Sequence, residues 1–430
     1  MKIKHTVAVL SIVIALPLVA YAQAPLSIEK AQALAIQRST LLVAHEAASK
    51  VARDMGVAVG QLPDPILKLG VNNLPIDGAD RFNLTRDFMT MRSVGVMQEF
   101  TREDKRKARS NRFEREVELV NANRNLTVNN LQRSTAMAWL DRYYQERILE
   151  VLVRQRDEAK LQIETSDAAY RGGRGSLNDA FAARTAVVQI EDRMAMVALQ
   201  VGTSQIQLNR WVGDAGVYVL DALPLMDRVP FSEDHLDAQL LHHPQIAVMQ
   251  SQEVVAQADA NVALANKHAD WTVEIMLNQR GSAYSNMVSI NASIPWQWDP
   301  KNRQDREVSA KLATVEQLRA ERADAIRNHI AEIRVMLREW RGNQARLRKY
   351  DDTILPLAKE RTSAALAAYR GGGAAASTLS NVLESRRMDV DVQLERLRLE
   401  METARLWAQL NYQNTIISGE STPQPNKELK

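Results

Sequence analysis

The sequence predicts a mainly α-helical chain with a small β part, internally duplicated and built on very long coiled-coil helices. Three observations carry this. Thr101 to Arg171 holds neither glycine nor proline and is dense in Arg, Glu, Leu, Val and Ala, so nothing interrupts a helix. About 70 helical residues make a rod of roughly 105 Å, longer than an ordinary globular domain can bury. Lys301 to Arg370 then repeats the pattern, and both stretches close on the same residues, Ala169-Tyr170-Arg171-Gly172-Gly173 and Ala368-Tyr369-Arg370-Gly371-Gly372. Finally, each rod is preceded by two short stretches with the alternation of strands.

The 430 residues would fill two or three ordinary domains, but the repeat argues for one unit of about 200 residues used twice. A formal net charge of +3 and an aromatic content of 5% leave no electrostatic footprint for nucleic acid. There is no cysteine, which excludes disulfides, thiolate catalysis, cysteine-ligated metal and lipidation of an N-terminal cysteine.

The first residues read as a secretory signal peptide: Lys2, Lys4 and His5, then an apolar Val7 to Val19, then Ala20-Tyr21-Ala22 as a cleavage site, with the mature chain starting near Gln23. An uncleaved anchor is the competing reading, but an apolar run broken by Pro17 is short for a span of about 20 residues. No later run is long and apolar enough for a transmembrane helix, so residence in a membrane requires a closed barrel.

Taken in order, Ser27 to about Met55 is predicted helical, with Leu34, Leu41, Leu42 and Ala48 on one side. Gln61-Leu-Pro-Asp-Pro65 breaks it. Ile66 to Leu74 alternates, Leu67, Leu69 and Val71 against Lys68, Gly70 and Asn72, as a strand does. A polar loop with Pro75 and Gly78 leads to a weaker strand from Phe88 to Phe100, and the first rod begins at Thr101. Beyond the Gly172-Gly173-Arg174-Gly175 turn, Ser176 is an N-cap for a helix to about Trp211. Phe181, Val188 and Ala195, with Leu199 and Ile206, give that helix a coiled-coil heptad. Val212 to Pro230 is a connector.

The second half repeats this order: a helix over about Ser232 to Lys267, a strand from Trp271 to Gln279, a tight turn at Ser282 to Ser285, and a strand from Asn286 to Trp298. Val273, Ile275 and Leu277 share one face of the former. On the latter Val288, Ile290, Ala292, Ile294 and Trp296 oppose Ser289, Asn291 and Ser293. Pro356 is expected to kink or break the second rod. A return helix from about Ser377 to Tyr412 carries the heptad Leu383, Val390 and Leu397 with Leu394 and Met401. The return helices align at a constant offset (Leu177 with Leu379, Arg184 with Arg386), and the second turn is longer than the first. The chain thus divides into a leader (1–22), a first repeat (23–230), a second repeat (231–417) and a polar, disordered tail (418–430).

In each half the short helix and the return helix together match the rod in length, so they stack end to end beside it. Strands of about 9–11 residues with one apolar face have the pattern of outer-membrane barrel strands. Four strands cannot close a barrel, and lipid tolerates no open edge, so several copies must share one; three copies supply twelve strands. Trp271, Trp296 and Trp298 lie near strand ends, where an aromatic girdle belongs. Their alternative role is as core tryptophans of a soluble sheet, which four strands are too few to bury.

No residue is assigned to catalysis, to a cofactor or to a metal. His242-His243 is the one adjacent histidine pair, but neighbours on a helix point apart and a third ligand is missing. There is no nucleophile elbow, phosphate loop or paired-carboxylate pocket, and the glycine-rich turns at Gly172 and Gly371 lie between helices rather than after strands.

The element order, the duplication and the paired signatures Ala-Tyr-Arg-Gly-Gly…Leu177-Asn-Asp179 and Ile354-Leu-Pro-Leu-Ala358…Ala-Ala-Tyr-Arg-Gly-Gly…Val382-Leu-Glu384…Arg387 resemble the TolC-type outer-membrane efflux proteins, from about Ser27 to Tyr412. Gln61-Leu-Pro-Asp-Pro65…Leu69-Gly-Val-Asn-Asn-Leu-Pro75 is similar to the CzcC/CusC-like heavy-metal branch. The resemblance implies a homotrimer: a 12-stranded barrel in the outer membrane of a Gram-negative bacterium, above a periplasmic tunnel of helices. The tunnel would dock through a periplasmic membrane-fusion adaptor onto a proton-driven inner-membrane transporter of the RND class. The duct itself does no chemistry, and heavy-metal cations are the implied cargo.

Family tips carry a Gly-x-x-Ser/Thr turn that touches the adaptor. The matching residues are Tyr170, Gly172, Arg174, Gly175 and Ser176, with Tyr369, Gly371 and Gly372 in the second half, whose turn to Ser377 is longer and lacks the arginine. Two acidic gate positions fall on Asn381 and Glu384, so the first acid is missing; Asp179 is the repeat equivalent of Asn381. Copies of these charges around a narrow tip would favour cations. Asp179 also fits as a first-turn acid on a helix dipole. Two other readings stand beside the efflux duct: the exit channel of a protein-secretion or multidrug system, and a soluble periplasmic coiled-coil scaffold, against which the alternating strands argue.

Overall fold

The computed structural model describes residues 24–173, 175–231, 236, 243–371 and 379–413. The expected leader, Arg174, Gly372 with the rest of the second turn, His242, and the tail lie outside the described residues.

The first expected helix is two, α1 (Ile28–Gln37) and α2 (Thr40–Val59). Ser27 caps α1 by accepting the Lys30 amide at 3.2 Å, and Ser39 turns extended between them. Strands β1 (Ile66–Asn72) and β2 (Met91–Phe100) follow, then α3 (Glu103–Arg171), a single helix of 69 residues. The strand expected from Phe88 starts later because Asp87 accepts the amides of Met89 and Thr90 at 2.8 and 3.0 Å and holds that segment in a turn. Next come α4 (Leu177–Val212) and a short 3-10 turn (Gly213–Val217).

In the second half, α5 spans Pro244–Ala265; the start expected at Ser232 lies outside the described residues. His243 is its cap, accepting the Gln245 amide at 3.2 Å, and proline sits in the first turn, where no amide donor is needed. Strand β3 spans Trp271–Gln279. Strand β4 is Met287–Ser293, shorter than the expected Asn286 to Trp298, because Pro295 has no amide to offer a ladder. The second rod is α6 (Gln304–Lys349) and α7 (Leu355–Gly371), joined by a π-helical turn at Tyr350–Ile354. That turn is the break expected of Pro356. Proline denies the carbonyl four residues back its partner and crowds it, and the wider turn, in which the Leu355 amide reaches the Tyr350 carbonyl, relieves the clash. Helix α8 (Leu379–Asn411) returns.

The helices stand in four columns. Helices α2 and α4 form one edge, α3 follows, α5 and α8 come next, and the rod of α6 and α7 forms the other edge. The core lies at the waist, where short and return helices meet. Trp139, Leu140, Leu208, Ile333, Leu337 and Leu410 are fully buried there. Trp139 donates its Nε1–H to the Leu26 carbonyl at 2.7 Å. Trp407 does the same to Arg228 at 2.9 Å. A second cluster joins Ile148, Val151 and Leu152 to Val390 and Leu394 further along. On α4 the predicted heptad is not packed within the chain. Ala180, Ala183, Val187, Ser204 and Leu208 pack inward, whereas Phe181, Val188, Leu199 and Ile206 are exposed along the free edge of the column.

The waist also buries two histidines. The rings of His243 and His329 lie 4.1 Å apart, and His243 Nε2 meets Gln413 Oε1 at 2.7 Å. His329 Nδ1 lies 3.5 Å from Glu332, and the charge of Arg133 faces both rings. Burial first, then the neighbouring His329, push His243 down to about 4, and burial lowers His329 as well. The folded state keeps these rings neutral while an unfolded chain binds protons below about 6.5. Stability is therefore fully present above that pH and is lost as the pH falls towards 4. Thermal midpoints measured between pH 7 and 4.5 should drop by the equivalent of roughly 2–3 kcal/mol. His243→Asn, which keeps a helix cap, should flatten the dependence; an unchanged profile would remove these rings as its source.

Candidate functional site

The four strands form one antiparallel sheet in the order β1-β2-β3-β4. Register sorts the central rows of its side chains by polarity. Leu67, Val96, Ile275 and Ile290 share one cross-strand row, and Leu69, Val94, Leu277 and Val288 the next. All eight are exposed, Leu69 at 74% and Ile290 at 72%. The opposite face is polar. Lys68 Nζ pairs with Glu274 at 2.7 Å, Asn278 donates to Ser289 Oγ at 2.8 Å, and Asn72 to Ser93 Oγ at 3.2 Å. A sheet that shows water its apolar face and turns its polar face inward is inverted relative to a soluble protein. Among the described residues, β1 and β4 are paired on one side only.

Both ends of the sheet are marked by aromatic rings. Trp271 stacks on Phe100 with ring centroids 4.4 Å apart, where β2 runs into α3. Trp296 and Trp298 lie past the same end of the sheet, beyond β4, 82% and 87% exposed. Phe82, Phe88 and Tyr284 are exposed on the loops at the far end. The sheet is tied to the rods by a buried Lys105, whose Nζ reaches Asp270 at 2.6 Å and the His268 carbonyl at 3.0 Å. Asp270 also accepts the Arg102 amide at the start of α3. Nothing in the sequence separates Lys105 from the many other charges of its rod.

At the other end of the rods Gly173 takes φ +70, a conformation that favours glycine, and the Gly175 amide reaches back to the Ala169 carbonyl at 3.1 Å. Tyr170 is exposed on the last turn of α3, beside Gly172. Ser176 and Asp179 close a capping box: Ser176 Oγ accepts the Asp179 amide at 3.1 Å, and Asp179 Oδ2 accepts the Ser176 amide at 3.2 Å. Tyr369 and Gly371 end α7, while Asn381 and Glu384 stand exposed in the first turns of α8. Further along the helices, α8 is linked to α4 by Arg193 with Asp391 at 2.8 Å and to α3 by Arg386 with Glu158 at 3.9 Å.

Among the described residues no group of three histidine or carboxylate side chains converges to hold a metal ion, and no helix is long and apolar enough to cross a membrane.

No family model matches the sequence, and no curated protein matches it either. Solved structures do. The outer membrane protein VceC of Vibrio cholerae superposes with a TM-score of 0.73 at 16% identity, covering 90% of this chain and 95% of that one. The outer-membrane channel OprN gives 0.71 at 13%, covering 90% and 91%. CusC, described as forming a transmembrane channel, gives 0.69 at 14%, covering 90% and 91%. The chain has the fold of the TolC-type outer-membrane channels, long helical rods joined to a small four-stranded sheet. CusC stands beside the others and not ahead of them, so the likeness singles out no heavy-metal branch.

Proposed function

We propose that this protein is the outer-membrane exit duct of a tripartite efflux pump, a homotrimer whose four strands per chain complete a barrel of twelve. The observation that carries this is the inverted sheet, apolar outside, polar inside and open at both edges. Lipid is the medium that such an outer face fits, and a barrel shared with copies of itself is the closure that such edges require. Strands of 7 to 10 residues reach about 23–33 Å, enough for the apolar layer of an outer membrane. The exposed stripe of Phe181, Val188, Leu199 and Ile206 fits the same assembly, since in a ring the edge formed by α2 and α4 meets the α6 and α7 edge of the next copy.

In this reading Trp271, Trp296 and Trp298 form the periplasmic girdle, and the turns at Tyr170, Gly172, Arg174, Gly175 and Ser176 and at Tyr369, Gly371 and Gly372 touch a membrane-fusion adaptor bound to an RND transporter. Asp179 and Glu384, with Asn381 between them in kind, ring the gate, Asp179 also serving its own helix cap. The cargo is heavy-metal cations, as the segment from Gln61 to Pro75 suggests, and the leader ends near Ala22.

Fractionation of the expressed protein followed by native mass in mild detergent tests this. A trimer in the outer membrane is expected. A soluble periplasmic species of any size overturns the duct.

A further inference from the structure

Below the second apolar cluster the helical columns part around a cavity of about 290 Å³. Leu152 and Val390 belong to both, packing in the cluster and lining the cavity. All four helices of the lower half, α3, α4, α7 and α8, contribute to its wall. Ala159 and Ala186 line it with side chains too short to fill it. Fixed pairs brace the helices around it. Arg193 of α4 holds Asp391 of α8 at 2.8 Å, and Thr362 Oγ1 of α7 donates to the Ser385 carbonyl of α8 at 3.1 Å.

The wall combines two chemistries. Leu152, Ile190, Leu366, Leu383 and Val390 supply an apolar part, and the guanidinium groups of Arg193, Arg386 and Arg387 a polar one. Cavities that stay dry are apolar throughout, so this one is not a simple packing defect. Its volume lies at the lower end of pockets that hold small molecules.

The polar part is rich in donors and poor in acceptors. Arg193 and Arg387 share a single carboxylate, Asp391, at 2.8 and 3.8 Å. Two acids stand on the wall itself. Glu158 is 3.9 Å from Arg386 with 66% of its side chain exposed, so water solvates it and the pair is weak. Asp389 accepts the Gln393 amide at 3.2 Å through Oδ2, and its Oδ1 is enclosed, out of reach of solvent. Each guanidinium carries five N–H donors, and the carboxylates in reach occupy only some of them. A planar fork of charged donors beside apolar side chains selects a carboxylate or sulfonate on an apolar body.

We infer that this cavity binds a small amphipathic anion, which ties the α3–α4 hairpin to the α7–α8 hairpin. A ligand touching both hairpins stabilises the arrangement in which they meet. The site is built within one chain and does not depend on the duct reading.

The test is amide hydrogen exchange of the full chain, purified in mild detergent and followed by peptide mass spectrometry, with and without naphthoate. At about 1 mM, an anion with a dissociation constant of about 0.1 mM should slow exchange by about tenfold in peptides covering Ala186 to Arg193 and Leu383 to Val390. Peptides from α6 should be unchanged. Naphthylmethylamine, the same ring system with a cation, should protect neither region. Arg387→Met keeps the stem of the wall arginine least tied within the chain and should abolish most of the protection. Arg184→Met, which removes an exposed arginine of α4 outside the wall, should retain it. No slowing by naphthoate would leave the cavity to water and overturn the proposal. Equal slowing by the amine, slowing spread over every helix, or full protection in Arg387→Met would each overturn it as well.

Discussion

Ile275→Arg is expected to remove the protein from the outer membrane while leaving its helices folded. Ile275 sits mid-strand on β3, between Val96 and Ile290 on the apolar face, and is exposed in the single chain. An arginine at the midplane of a lipid-facing barrel surface costs about 2–4 kcal/mol, and a homotrimer would carry it three times over. That is comparable to the whole stability of a typical domain. The control is Asn291→Arg on β4, exposed on the polar face, where a charge meets water in a lumen. Immunoblots of outer-membrane fractions should show the first variant lost and the second near wild-type level, with circular dichroism of the recovered Ile275→Arg protein still strongly helical. Equal levels of both variants in the membrane would show that the two faces are not lipid and lumen, and the duct would lose its main support.

That face was legible in the sequence because strand alternation has the shortest period a chain can show. Leu67, Leu69 and Val71 against Lys68, Gly70 and Asn72 fix a face without any knowledge of the partner strand. The ends of elements were less legible, each for a local reason. Pro295 stops β4 short of Trp296 and Trp298. The break between α1 and α2 falls at Arg38 and Ser39, with neither glycine nor proline to announce it, and Ser39 holds the N-cap position without a side-chain capping bond. The heptad on α4 does not pack within the chain. Val187 and Val188 are adjacent, so the helix carries two apolar stripes side by side, and one chain buries only one of them. A stripe meant for another subunit looks the same in sequence as a stripe meant for the core. Of the site, the tip turn and the Ser176 cap could be read from the sequence, because glycine and serine have local reasons to be there. The link from Lys105 to Asp270 could not, since it joins residues far apart in sequence and its lysine stands among many solvated ones.

Trp139→Ala should be the most damaging single truncation in the helical part. Trp139 is fully buried at the waist, and its Nε1–H is satisfied by the Leu26 carbonyl at 2.7 Å. Removing a buried tryptophan costs about 3–5 kcal/mol from lost burial and the cavity left behind. The Leu26 carbonyl loses one of two donors and keeps the Asp221 amide at 3.1 Å, so the lost hydrogen bond adds only modestly to that. Trp139→Phe keeps most of the volume and loses the donor, so it should fall between the two. Thermal unfolding followed by circular dichroism should rank them wild type, Trp139→Phe, Trp139→Ala; an alanine variant within about 1 kcal/mol of wild type would show that the waist is not what holds the columns together. The two substitutions fail in opposite ways. Ile275→Arg spares the rods and loses the membrane, because its cost is paid against lipid. Trp139→Ala loosens the rods first, because that ring helps to pin Leu26, and with it the connector segment from Val219 to Asp221, to α3. A protein in which membrane insertion and helical stability respond separately is one whose strands owe their fold to the lipid and to neighbouring copies, and whose helices owe theirs to the waist.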